Sequence, residues 1–101
     1  MIMSSTKQNR IIGLIGLGHW GKNLLRNFGA LDSILLACDE SSETTTKYQK
    51  EYPDIQFTNN ISDILKNPSI QAVAIATPAA THYDLVKEAL TNNKDVFVEK
   101  P

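Results

Sequence analysis

Residues 11–21 read Ile-Ile-Gly-Leu-Ile-Gly-Leu-Gly-His-Trp-Gly, and the other elements of the chain can be placed relative to this segment. An apolar run of strand length leads into the spacing Gly-x-Gly-x-x-Gly, and a helical pattern follows directly. In this spacing Gly16 permits a tight turn, Gly18 lets a phosphate group approach the backbone, and Gly21 lets the helix pack closely on the strand. The unpaired N–H groups and the dipole of the helix N-terminus favour an anion. The segment therefore predicts a turn that binds the pyrophosphate of a dinucleotide.

The composition indicates one small globular domain. The chain has 101 residues, of which 42% are hydrophobic, and this is enough for a modest core. A formal net charge of −1 offers no positive surface to nucleic acid or to an anionic membrane. No apolar run approaches the ~20 residues of a membrane-spanning helix. We therefore expect neither nucleic acid nor a membrane as a partner.

The cysteine count and the first residues of the chain indicate the compartment. Cys38 is the single cysteine, so an internal disulfide and a cysteine-rich metal site are excluded, and we predict no metal site. A free cysteine suits a reducing cytosol. Residues 1–10 are polar and lack the apolar core of a signal peptide, so we expect a polar N-terminal tail. The sequence thus predicts a cytoplasmic protein.

Apolar segments of strand length alternate with segments of helical spacing along the chain. This alternation implies right-handed crossovers and a parallel sheet with helices on both faces, which is the doubly wound, Rossmann-type α/β fold. The expected strand order is 3-2-1-4-5, and the Gly16 turn should face the Thr77-Pro78 turn at the switch point between strands 1 and 4. The predicted strands are residues 11–15, 33–38, 55–58, 72–76 and 95–98, and the predicted helices begin at His19, Ser41 or Ser42, Asn60 and Thr81.

Short polar residues and glycine mark the expected helix ends. Gly29 predicts the end of the first helix, because glycine readily takes the left-handed conformation. Thr81 and Asp84 have the spacing of a capping box at the start of the fourth helix. The pair at residues 92–93 is Asn-Asn, which predicts a left-handed turn before the last strand.

Asp39 is the second feature typical of a dinucleotide site. It lies 18 residues after Gly21, at the end of the second predicted strand, where an acidic residue binds the ribose 2′-OH of NAD. The alternative is an ordinary polar residue that ends a strand, but its position together with the glycine spacing favours binding. Residues 39–43 contain no Arg or Lys that could receive a 2′-phosphate, so the sequence predicts NAD over NADP.

Three segments together resemble the glucose–fructose oxidoreductase, inositol dehydrogenase and rhizopine-catabolism family (Gfo/Idh/MocA). They are Gly-Leu-Gly-His-Trp-Gly at 16–21, Ala-Val-Ala-Ile-Ala-Thr-Pro-x-x-x-His at 72–82, and Val-Phe-Val-Glu-Lys-Pro at 96–101. Residues 61–68, Ile-Ser-Asp-Ile-Leu-Lys-Asn-Pro, are similar to the segment that precedes the fourth strand in that family. The resemblance covers residues 11–101 in order, and a Glu-Lys-Pro ending after the fifth strand is a hallmark of the family.

The resemblance implies roles for individual residues. Lys100 would be the catalytic residue and would donate hydrogen bonds to the reacting oxygen beside the nicotinamide. A lysine at a strand end is ordinarily a solvated surface charge, and only the Glu-Lys-Pro context favours the catalytic role. Thr77 and Pro78 would border the nicotinamide ribose. The implied cofactor-binding residues are Gly16, Gly18, His19, Trp20, Gly21, Asp39, Thr77, Pro78, His82 and Glu99.

Four of these assignments have a structural alternative. His82 matches the family histidine near the start of the fourth helix, and we interpret it as a support of the cofactor site rather than a catalyst. His19 occupies a variable position of the glycine turn, close to the phosphates. Trp20 is expected to pack under the turn rather than touch a ligand. Glu99 is interpreted as structural rather than catalytic.

The resemblance implies an NAD-dependent oxidoreductase that passes a hydride between the nicotinamide and a secondary alcohol of a sugar, cyclitol or nucleotide sugar. Residues 18–28 are similar to members that act on nucleotide-linked amino sugars. In the family a second domain follows Glu-Lys-Pro and binds the substrate. Residues 11–101 are therefore expected to be a truncated cofactor domain, inactive alone, of a full-length protein that is a homo-oligomer.

Two other classes of function stay open. One is a non-catalytic sensor or regulator that binds a dinucleotide, although Lys100 would then lack a purpose. The other is a Rossmann module that binds a nucleotide or coenzyme A without redox chemistry, which Asp39 disfavours. A fluorescence titration with NADH separates the dinucleotide-binding classes from the second alternative.

Overall fold

The computed structural model describes residues 11–98, which form a single five-stranded parallel sheet with helices on both faces. The strand order is β3-β2-β1-β4-β5, as predicted, and every neighbouring pair is parallel. The strands are β1 (Ile12–Ile15), β2 (Ile34–Cys38), β3 (Gln56–Thr58), β4 (Ala72–Ile75) and β5 (Asp95–Val98). The helices are α1 (His19–Ala30), α2 (Ser42–Glu51), α3 (Ser62–Leu65) and α4 (Ala79–Thr91).

The central strands are apolar on both faces because helices cover both sides of the sheet. In β1, Leu14 packs with α1 and α2, whereas the next residue, Ile15, packs with α3 and α4 on the opposite face. Both side chains are almost completely buried, at 0% and 1% exposure. A continuous apolar run is the pattern expected of such a strand. The two layers of helices leave the carboxyl ends of the strands open at one edge of the sheet.

Two helices end in the same backbone motif, which the sequence predicted at only one of them. After α4, Asn93 has a left-handed φ of 63°, as predicted, and the N–H of Lys94 donates to the carbonyl of Ala89. After α1, the left-handed residue is Asp32, with φ of 55°. Gly29 lies inside α1, so its prediction as the helix end is wrong. Aspartate can take this conformation at a small cost, and the hydrogen bonds of the final turn select the position.

The fourth helix begins earlier than predicted. It starts at Ala79, directly after Pro78, because the ring of Pro78 holds φ at −56° and the residue has no N–H to leave unpaired. Thr81 lies within the first turn, where its hydroxyl donates to the carbonyl of Pro78 at 2.8 Å. The predicted capping box at Thr81 and Asp84 is therefore wrong.

A buried lysine joins two connections at the edge of the sheet opposite the glycine turn. Lys94 is 6% exposed, and its Nζ donates to the carbonyl of Asn67 at 2.6 Å and to that of Ile70 at 2.7 Å. It thereby ties the α4–β5 connection to the α3–β4 connection. Buried charged donors of this kind are stable because their hydrogen-bonding capacity is used.

Candidate functional site

The three glycines of the turn between β1 and α1 meet different requirements. Gly16 has φ of 98°, and a Cβ there would lie 2.9 Å from the backbone carbon of Ala76. A Cβ on Gly21 would lie 1.8 Å from the carbonyl oxygen of Gly16. Both positions are therefore glycine because the fold demands it. At Gly18 a Cβ would meet no atom within 4 Å, so packing does not explain the missing side chain.

The N-terminus of α1 is free to receive an anion. Gly18 precedes the helix and supplies no side-chain cap, and the first turn contains no acidic residue. The N–H of Lys22 donates to the carbonyl of Gly18, whereas the N–H groups before it precede the first intrahelical bond. Because Gly18 is exposed and leaves open space, a phosphate group can approach these donors.

A cavity of about 820 Å³ lies at the carboxyl ends of the strands. Its volume is within the range of small-molecule sites, and its position is the switch point where ligands of doubly wound folds bind. A smaller pocket of about 230 Å³ adjoins it, and the two share residues of the glycine turn and of the β4–α4 turn. The larger cavity is lined by Ile15, Gly16, Gly18, Cys38, Asp39, Glu40, Asn59, Asn60, Ile61, Ala76, Thr77, Pro78, Thr81, Asp84 and Leu85.

The carboxylate of Asp39 is held beside the glycine turn by two backbone donors. Its Oδ1 accepts from the N–H of Leu17 and its Oδ2 from the N–H of Ser41, each at 2.9 Å. Each carboxylate oxygen has a further lone pair that can accept a ligand hydroxyl. Asp39 is half-buried and lines the cavity, so the carboxylate is positioned to accept such a bond.

Among residues 11–98, the charged side chains that line the larger cavity are all acidic. They are Asp39, Glu40 and Asp84, and none of the described lining residues is a Lys or Arg. Within this part of the chain, the groups that could attract an anion are the backbone N–H groups and the dipole of α1. A second phosphate near Asp39 and Glu40 would meet like charges at short range.

The β4–α4 turn is fixed by side chains of α4. The hydroxyl oxygens of Thr77 and Thr81 lie 2.7 Å apart, and because the single Thr81 proton goes to the Pro78 carbonyl, the Thr77 hydroxyl donates to Thr81. The Nε2 of His82 lies 2.5 Å from the carbonyl oxygen of Thr77. A carbonyl only accepts, so Nε2 must carry a proton. His82 is absent from the lining of both pockets, and its bond to the turn favours the support role over a catalytic one.

His19 and Trp20 are both exposed at the start of α1 and contact each other edge-to-face, with ring centroids 5.5 Å apart. Trp20 is 41% exposed, so the prediction that it packs under the turn is wrong. Gly21 takes the inward position, where only a residue without a side chain fits against Gly16. Trp20 points instead to the smaller pocket, which it lines with His19 and Pro78.

Cys38 lies on the floor of the larger cavity but is not a reactive group there. Burial raises the pKa of its thiol from 9.0 to about 11, and the negative charge of Asp39 adds to the shift. The thiol is therefore protonated at neutral pH, and a protonated thiol is neither a nucleophile nor a metal ligand. Its role is to pack against the strands.

Two of the predicted site residues, Glu99 and Lys100, lie outside the described residues, so the structure assigns them no contacts. Among residues 11–98, no three His, Cys, Asp or Glu side chains are grouped in a way that could hold a metal ion. The same part of the chain contains no helix with the length and apolar character needed to cross a bilayer.

The sequence prediction did not include Glu40, Asn59 or Asp84, all of which line the larger cavity. Asp39 and Glu40 are the two residues after β2, Asn59 directly follows β3, and Thr77 lies two residues after the end of β4. The carboxyl ends of parallel strands meet at one edge, so polar residues at those ends were a usable signal. Asp84 lies within α4, and its spacing from Thr81 predicted a helix cap rather than a cavity residue.

Comparison with known proteins identifies a family whose members this chain resembles over most of its length. Residues 10–101 match the Gfo/Idh/MocA model, described as an oxidoreductase family with an NAD-binding Rossmann fold. The scyllo-inositol 2-dehydrogenase (NAD(+)) of Bacillus subtilis strain 168 is 30% identical over 92 residues, covering 90% of this chain and 27% of the relative. The inositol 2-dehydrogenase of Gluconacetobacter diazotrophicus is 30% identical over 94 residues, covering 89% of this chain and 28% of the relative.

A solved structure agrees with these sequence relatives. The scyllo-inositol dehydrogenase of Lactobacillus casei, with NAD(H) and scyllo-inositol bound, superimposes on this chain with a TM-score of 0.79 and 28% identity. The match covers 89% of this chain and 27% of that one. This chain thus spans about a quarter of the length of the relatives it matches.

Proposed function

Since this chain belongs to the Gfo/Idh/MocA oxidoreductase family, we propose that it is the cofactor-binding part of an NAD-dependent dehydrogenase acting on a sugar or cyclitol secondary alcohol. The observation that carries the proposal is the open space at Gly18, which packing does not explain and which faces the cavity lined by Asp39. A pyrophosphate would fill that space and accept hydrogen bonds from the uncapped start of α1.

The carboxylate of Asp39 supports NAD rather than NADP. Two backbone donors hold it at the cavity, where it would accept the ribose hydroxyls of NAD. A 2′-phosphate at the same place would lose those hydrogen bonds and meet the charges of Asp39 and Glu40. Of the described residues that line the cavity, none offers a compensating positive charge.

The proposed substrate class rests on the relatives. The two inositol dehydrogenases named above align with this chain over about nine-tenths of its length. When bound, the nicotinamide would carry the hydride, and the protein would supply orientation and electrostatics. Thr77 and Pro78 would border the nicotinamide ribose, and Lys100 would donate to the reacting oxygen. A nucleotide-linked amino sugar stays a narrower prediction from residues 18–28.

The proposed activity belongs to a protein longer than this chain. Because the chain spans 27% of the scyllo-inositol dehydrogenase relative, a further segment would be needed to bind the substrate. Residues 11–101 would then be the dinucleotide-binding domain, and residues 1–10 a polar tail. The homo-oligomeric state and the cytoplasmic location stay predictions from the sequence.

A titration with NADH tests the proposed function. Adding NADH to the 101-residue chain should enhance the nicotinamide fluorescence in a saturable way, and NAD⁺ should compete, whereas coenzyme A should not. A folded chain that shows no saturable binding of NADH or NAD⁺ would refute the proposal. Turnover of inositols by the full-length protein would distinguish a dehydrogenase from a dinucleotide sensor of the same fold.

A further inference from the structure

Asn59 connects the end of β3 to the segment that carries Asp39. Its Nδ2 donates to the carbonyl oxygen of Asp39 at 2.9 Å and to the hydroxyl of Thr45 at 3.2 Å. Its Oδ1 accepts from the hydroxyl of Ser42 at 3.2 Å. The Asp39 carbonyl can only accept, so the amide nitrogen must face it, and the orientation of the side chain is determined. One amide therefore joins the end of β2, the first turn of α2 and the end of β3.

The bond to the Asp39 carbonyl acts on the peptide unit that follows Asp39. That unit connects Asp39 to Glu40, and the next N–H along the chain, that of Ser41, donates to the Asp39 carboxylate. The direction of the Ser41 N–H depends on the orientation of the residue 39–40 peptide plane. Asn59 fixes that plane from outside the turn. The carboxylate is thus held through its two direct donors and, indirectly, through Asn59.

We propose that Asn59 is a positioning residue that sets the preference for NAD over NADP by holding the Asp39 turn in place. This inference rests on the proposed function, because it assumes that the adenosine ribose binds at Asp39. Asn59 lines the same cavity, so its bonds lie at the place where the ribose would sit. Without Asn59 the carboxylate can move away from the ribose. NADH then loses a hydrogen bond and NADPH loses a repulsion, and both changes reduce the preference.

A side chain that only stabilises the fold should leave the preference for NAD over NADP unchanged, and Gln49 provides a control of this kind. The Nε2 of Gln49 also links α2 to β3, because it donates to the carbonyls of Tyr52 and Ile55 at 3.3 and 2.9 Å. These carbonyls precede β3, at the edge of the sheet opposite the cavity, and Gln49 is absent from the cavity lining. Each substitution deletes two hydrogen bonds from an amide nitrogen, and both sites involve α2 and the neighbourhood of β3, but only Asn59 contacts the Asp39 turn.

The experiment compares the ratio of the NADPH and NADH dissociation constants in the parent chain, Asn59→Ala and Gln49→Ala. Asn59→Ala should reduce this ratio about fivefold, the factor that corresponds to the net value of one hydrogen bond. Gln49→Ala should leave the ratio unchanged even if it lowers the melting temperature. Ser42→Ala, which removes only the hydroxyl that donates to Asn59 Oδ1, weakens the hold on the amide and should shift the ratio in the same direction by a smaller factor.

The outcomes separate this inference from the proposed function. A parent chain that binds neither dinucleotide refutes both. A parent that prefers NADH, together with an Asn59→Ala variant that keeps the parental ratio, refutes only the positioning role. An equal change of the ratio in Gln49→Ala would also refute it, because the effect would then follow general loosening of α2. If Asn59→Ala fails to fold, Ser42→Ala decides, and an unchanged ratio in that variant refutes the role.

Discussion

At the scale of single residues, the site depends on two kinds of position. Some, such as Gly16 and Gly21, are constrained by neighbouring backbone and would be needed whether or not a ligand binds. Others line the cavity: Gly18 is not explained by packing, and Asp39 directs a carboxylate to the cavity while it accepts two backbone hydrogen bonds. Substitutions at the two kinds of position should therefore affect stability and binding separately.

Asp39→Ser tests the choice of cofactor. The parent should bind NADH at least about tenfold more tightly than NADPH, because a hydrogen bond to a charged acceptor contributes ~1.5–3 kcal/mol. The difference between the NADH and NADPH affinities should be smaller in the variant, because serine neither repels a 2′-phosphate nor accepts hydrogen bonds from two ribose hydroxyls. Fluorescence titrations with both dinucleotides measure it. Equal affinities in the parent would contradict the role of Asp39.

Gly18→Val tests the phosphate site. No atom lies within 4 Å of the new Cβ, so the melting temperature should change little, but the side chain would occupy the space proposed for the pyrophosphate. NADH binding should be lost. Gly21→Ala is the contrasting variant, because its Cβ would lie 1.8 Å from a backbone oxygen and should destabilise the fold itself. Parental NADH affinity in Gly18→Val would show that the phosphate lies elsewhere.

At the scale of helices and strands, the connections at the amino ends of the strands, opposite the cavity, contribute to the free energy of unfolding. Lys94 holds two of them together through bonds to the carbonyls of Asn67 and Ile70. Lys94→Met should lower the free energy of unfolding by about 2 kcal/mol, the scale of a lost hydrogen bond to a charged group. Urea denaturation measures the change. The folded variant should bind NADH as tightly as the parent. A large loss of affinity would show that the contacts of Lys94 at the amino ends of the strands influence the cavity at their carboxyl ends.

At the scale of the whole molecule, β5 presents an exposed apolar side chain at the side of the sheet. Phe97 is 46% exposed and contacts Phe28 edge-to-face, with ring centroids 6.3 Å apart. Within the described residues β5 is an edge strand, and apolar edge strands favour association. The isolated 101-residue chain should therefore self-associate, and Phe97→Lys should weaken the association in sedimentation experiments. Leu90→Lys, at a similarly exposed apolar residue on α4, is the control and should leave it unchanged.

The same isolated chain should show no dehydrogenase activity with sugars, inositols or sugar nucleotides. Under the proposed function, substrate binding requires a further segment. Without that segment nothing would hold an alcohol beside the nicotinamide or exclude water from the reacting atoms. Assays with NAD⁺ and a panel of these alcohols measure turnover. A monomeric chain that reduced NAD⁺ by itself would contradict the proposal that the activity requires a longer protein.

The order of the elements and the glycine turn could be predicted from the residues alone because their causes are local. The strand order could be predicted because alternating strands and helices with right-handed crossovers commonly adopt the doubly wound order. Apolar run length and helical spacing act within about ten residues, and Gly16 needs its positive φ whatever surrounds it. The outward position of Trp20, the left-handed Asp32 and the start of α4 were decided by packing and hydrogen bonds in the folded chain.

The contacts that position Asp39 and bury Lys94 were decided only by tertiary structure. Asn59 reaches Asp39 across 20 residues of sequence, and Lys94 reaches Asn67 across 27. Neither residue differs in its local pattern from a solvated polar residue. Their partners are backbone carbonyls, which every residue has, so sequence pattern carries no sign of the pairing. Only the parallel sheet, by bringing the ends of distant strands to one edge, determines which carbonyl each side chain meets.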